Sequence, residues 1–199
     1  MKFATKIAAG AAFVIAGSMS PVMAEECTFE KSKDDFEQAD IDKLYDCLKD
    51  ELAEGYASKG DEVAAAYRSW TITATGAAAP GAHSNRFLLT FANDIAAEQY
   101  LKYNEDGGFS MPVGSVLAKE SFSLHKTKGT PRKGPFFTMT KVPAVEADEF
   151  DNCVYGALQP SGKPMKIKQS FCHDCHVAFE DQDSLGYPCL LYTSPSPRD

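Results

Sequence analysis

The chain reads as an α+β protein, an antiparallel β-sheet flanked by helices, with a Cys-x-x-Cys-His motif at the end of its domain. Three observations predict this. Apolar residues recur at helical spacing in the amino-terminal part; short runs rich in β-branched and aromatic residues occupy the middle; and Gly or Pro bounds those runs.

The first element precedes the domain. Lys2 and Lys6, an apolar run from Ile7 to Ala16, and Val22, Met23 and Ala24 read as a secretory signal peptide over residues 1–24, cleaved after Ala24. The apolar stretch is shorter than the ~20 residues that span a bilayer, and Gly10, Gly17 and Ser18 dilute it, so export rather than stable membrane insertion is expected. At the other end, Leu190 to Asp199 resembles translated sequencing adaptor, and residues 189–199 are expected to be a non-native tail. Between them, residues 25–188 are long enough for one well-buried core and too short to expect two.

From Ala39 to Tyr56, the residues Ile41, Leu44, Tyr45, Leu48 and Leu52 share one side of an amphipathic helix. A second helical stretch, Asp61 to Trp70, comes after a break at Gly60, and Trp70 reads as core because large aromatics chiefly contribute buried area. Residues 77–81 read as a loop. Arg86 to Ala92, Ser115 to His125, Phe136 to Val142 and Cys153 to Leu158 read as antiparallel strands. Asn93 or Asp94 caps a helix from Ile95 to Tyr103, and residues 160–164 turn the chain toward a further short strand, Met165 to Lys168.

The formal charge of −8 becomes −10 once Lys2 and Lys6 are removed, which argues against nucleic acid or anionic lipid as a partner. Six cysteines in an exported chain suit an oxidising compartment, here the periplasm.

Cys172, His173, Asp174, Cys175 and His176 complete the motif. Two thiols at this spacing meet one edge of a porphyrin and bond its vinyl groups, and the adjoining imidazole reaches the iron. One covalent haem c on Cys172 and Cys175, with His176 as axial ligand, is therefore expected. The same atoms could form a thiol–disulfide pair or part of a zinc site, but the first expects a βαβ unit and the second a fourth ligand, and neither is visible. No Met or His comes after His176, so any sixth ligand comes from upstream: His83, His125 or a methionine, since His173 between the thioethers points away from the iron. An open, five-coordinate iron is the other expectation.

Two-residue alternation sets Val116, Ala118, Glu120, Phe122 and Leu124 on one face of a strand and Lys119 on the other. A carboxylate on an apolar face is either paired with a cation or held in a cavity with raised pKa, where Glu120 could relay protons as a catalytic group. Met139, beside Phe137, reads as core.

Over nearly all of residues 25–188 the chain resembles the cytochrome P-460 family, including cytochrome c′-beta. The carrying features are Tyr67 to Trp70, His83 to Phe87, Pro112 to Glu120, Met139 to Lys141, and the haem motif with Leu185 to Pro188. The resemblance implies a homodimer and a His-ligated haem whose far side is open to nitric oxide or another small nitrogen or carbon ligand. Some members carry a lysine–porphyrin bond and oxidise hydroxylamine; others cap the distal pocket with phenylalanine and bind gases. Here no lysine lies between Glu105 and Pro112, and Lys102 is the nearest, so a cross-link is not expected; Phe87 or Phe109 either crowds the distal face or belongs to the core. A redox partner cytochrome is expected if the iron is six-coordinate and the protein is a periplasmic electron carrier, or if it oxidises hydroxylamine. Cys27 and Cys47, outside the motif, are expected to pair, leaving Cys153 a buried free thiol.

Overall fold

Residues 27–77, 82–102 and 110–185 are described by the computed structural model; the segment expected to be a signal peptide, Phe109, Cys189 and the rest of residues 189–199 lie outside them. Six strands form one antiparallel sheet: β1 (Thr71–Ile72), β2 (Phe87–Ala92), β3 (Val116–Leu124), β4 (Pro131–Lys133), β5 (Phe136–Lys141) and β6 (Cys153–Leu158). Their order is β1-β2-β3-β5-β6. β5 pairs with Val116 to Lys119 of β3, and β4 pairs with Phe122 to Leu124. Gly134 marks the change from one partner to the other: a Cβ there would stand 2.7 Å from the Ser121 carbonyl oxygen, so only glycine lets the backbones approach.

The four longer strands lie within a residue of their expected limits. β1 and β4 are too short to show any alternation, which is why sequence pattern does not reveal them. The helix expected over 39–56 is broken into α1 (Gln38–Asp46) and α2 (Lys49–Ala57), with Cys47, disulfide-bonded to Cys27, in the gap. The next stretch is α3 (Glu62–Ala66), whose Asp61 cap accepts the Ala64 N–H at 2.9 Å, and it continues into a 3-10 turn at Tyr67–Ser69. Helix α4 (Asp94–Tyr100) takes Asn93, not Asp94, as its cap. In the carboxyl-terminal half lie a short α5 (Ala144–Ala147) and the motif helix α6 (Gln169–His176).

Residues 165–168 are not a strand: after an isolated bridge between Leu158 and Pro164 and one bond from Met165 N–H to the Ala157 carbonyl, the chain leaves the sheet. The edge of β6 is occupied instead by a side chain of α6.

Strand register gives the sheet two distinct faces. On the first, Tyr45 lies against Phe122 at 5.4 Å, Tyr56 against Phe136 at 4.9 Å and Tyr67 against Phe91 at 5.0 Å between ring centroids. These contacts, with Leu44, Leu52, Phe87 and partly buried Trp70, form the main core under the amino-terminal helices. Each fully buried aromatic there contributes roughly 2–3 kcal/mol from apolar burial. On the second face stand Thr90, Lys119, Phe137 and Tyr155, and a smaller cluster of Ala92, Ala96, Tyr100, Met111, Leu117 and Leu185 with Met139 against it.

Candidate functional site

Cys172, Cys175 and His176 sit on α6, against the second face of the sheet. The helix is held there by Gln169, whose amide accepts the Tyr155 N–H at 2.7 Å and donates to the Tyr155 carbonyl at 2.8 Å. Because β6 is an edge strand, this side chain satisfies backbone groups that a further strand would otherwise take. Cys172 and Cys175, three residues apart in a helix, share one side of α6, and both are free thiols.

The orientation of His176 is set by the chain just beyond α6. Its Nδ1 lies 2.6 Å from the Ser184 carbonyl, to which it must donate, so Nε2 carries no proton and keeps its lone pair. Burial lowers the His176 pKa, opposed by the Ser184 carbonyl, so the ring is neutral at neutral pH. Ser184 is itself fixed. Asp183 accepts from the Lys141 ammonium at 2.6 Å and from the Met111 N–H at 2.6 Å, and the Ser184 hydroxyl donates to Asp151 at 2.8 Å. Tyr155 packs 5.0 Å from the His176 ring on one side.

These residues fit a haem joined through Cys172 and Cys175. The thiols are reduced, the histidine presents the correct free nitrogen, and α6 with the 3-10 segment Val177–Gln182 buries no residue fully. Phe171 is 74% exposed and Val177 and Phe179 are 41% exposed, an apolar surface that a porphyrin would cover. Among the described residues no group of three or more His, Cys, Asp or Glu side chains is gathered in a way that could hold a metal ion. No described helix is long and apolar enough to cross a membrane.

Among the upstream histidines, His83 is the one brought to His176: the ring centroids are 6.4 Å apart, and the His83 ring lies 4.5 Å from Phe137. Burial, with Lys119 and His176 nearby, holds His83 down to about 3. Lys119 faces the same space, and burial alone draws its ammonium down to about 8. His125 is exposed beyond β3, and His173 turns toward Phe150, 5.6 Å between rings, and Asp151. Lys102 is exposed at the end of α4, where it donates to Gln99.

Glu120 and Phe87 are not brought to His176: of the alternatives the sequence left open, Glu120 takes the cation pair and Phe87 the core. β2 and β3 register Phe87 opposite Phe122 and Leu89 opposite Glu120, so both side chains point to the helix-covered face. Phe87 is fully buried beside Phe36 and Phe122. Glu120 accepts from the Tyr67 hydroxyl and pairs with Arg68 at 2.7 Å. Sequence reasoning misses Gln169 and Ser184 because neither belongs to a motif; the strand-then-helix join at β6 and α6 is the one available signal for Gln169.

No family model matches the chain, and no curated protein matches it.

Proposed function

We propose that this chain is an exported, single-haem c-type cytochrome of the periplasm, attached through Cys172 and Cys175, held at the iron by His176, and binding a small nitrogen-oxide ligand such as nitric oxide. The observation that carries the reading is the His176 Nδ1 contact with the Ser184 carbonyl, which leaves Nε2 unprotonated on the helix that carries two free thiols. Haem, when bound, would supply a redox-active iron able to take a small diatomic ligand. The protein's part is to hold that histidine in one tautomer and to wall the site with Phe137 and Tyr155, with Lys119 facing the same space.

The test is expression with a haem-maturation system, a pyridine haemochrome assay, and ferrous optical spectra with and without nitric oxide. One covalent haem and a spectral change on adding nitric oxide are expected. Loss of covalent haem in Cys172→Ser/Cys175→Ser supports the attachment; a ferrous protein that refuses both nitric oxide and carbon monoxide would sink the ligand-binding reading and leave an electron carrier.

A further inference from the structure

We infer that His83 is the second protein ligand of the iron: its imidazole closes the position opposite His176 in the ligand-free protein, and an incoming small molecule must displace it. This rests on the haem reading and adds how access to the iron is controlled.

The His83 and His176 rings are 6.4 Å apart between centroids, with planes crossing at 77°. Two imidazoles sharing one metal through bonds of about 2 Å bring their ring centres to about 6 Å. A distal histidine that only hydrogen-bonds a bound gas needs a wider gap, since the gas itself lies between ring and metal.

How His83 is held points the same way. His83, Ser84 and Asn85 have φ of 56°, 63° and 56°, three successive left-handed residues. Each non-glycine residue so placed costs of order 1–3 kcal/mol, so the surroundings must hold the turn. Lys33 donates to the Asn85 carbonyl at 2.8 Å and Arg86 to the His83 carbonyl at 3.0 Å, which secures the backbone. Phe137 supports the ring. Among the described residues, none hydrogen-bonds the ring nitrogens of His83. A half-buried imidazole whose backbone and face are fixed, but whose nitrogens no described residue engages, is arranged to coordinate. Because the turn ends before β2 begins at Phe87, displacing His83 breaks no ladder bond of the sheet.

The experiment compares optical and electron paramagnetic resonance spectra of the ferric, haem-loaded protein with those of His83→Gly and His83→Asn. Glycine and asparagine both tolerate the left-handed backbone, and circular dichroism checks that both variants fold. Expected are a low-spin wild type, two high-spin variants, return of His83→Gly to low spin on adding imidazole, and carbon monoxide association to the ferrous variants faster by about tenfold or more. A high-spin wild type overturns the inference. So does a low-spin spectrum that survives both substitutions, which would place another group, Lys119 or Met139, on the iron. A negative haemochrome assay overturns the haem reading itself, and is read separately from spin state.

Discussion

Glu120 shows how a single residue's chemistry depends on which side of a strand it takes. Its carboxylate is 0% exposed, between the Tyr67 hydroxyl and the Arg68 guanidinium, and that guanidinium lies 5.7 Å from the Tyr45 ring, 5.5 Å from Tyr67 and 5.8 Å from Phe91. Burial raises the Glu120 pKa, opposed by Tyr67 and Arg68. A carboxyl whose folded pKa exceeds its unfolded value keeps its proton longer in the fold; its contribution is fully present below the unfolded pKa and is lost as pH rises through the folded one. Glu120→Gln should therefore gain stability relative to wild type on going from about pH 4 to about pH 8, measured by urea unfolding. Arg68→Met leaves the carboxylate unpaired and should cost about 3 kcal/mol near neutrality, less in acid where the carboxyl is protonated. The alternation that puts Glu120 with Ala118 and Phe122 was legible in the sequence. Its partner was not, because Arg68 comes from a different element.

At the scale of elements, the motif helix is positioned by one amide. Gln169→Ala removes two hydrogen bonds to the edge of β6 and should lower stability by about 1–2 kcal/mol, with Gln169→Glu intermediate at best because it keeps an acceptor but loses the donor. Urea midpoints check the first effect, and covalent haem yield checks whether a loosened α6 still presents its thiols. Strand limits were legible because each long strand alternates between two environments. The break between α1 and α2 was not: Ile41, Leu44, Leu48 and Leu52 keep helical spacing across it, while the Cys27–Cys47 disulfide lies at the gap.

For the whole molecule, stability and site chemistry lie on opposite faces of one sheet. The amino-terminal arm is tied to α1 by the disulfide, which closes 20 residues and should contribute about 3 kcal/mol by restricting the unfolded chain. Cys27→Ser is expected to lower the urea midpoint accordingly while leaving the spectrum of the proposed haem unchanged, since the bond lies outside the candidate site. The sequence by itself determined the local chemistry: the alternation of β3, the thiol spacing on α6 and the histidine beside it, all encoded within a few residues. Only the tertiary structure decided that His83 faces His176 and that Glu120 and Phe87 do not. The reason is physical: strand period assigns residues to two faces, but which face the helices cover, and which is left to α6, depends on packing between segments distant in sequence.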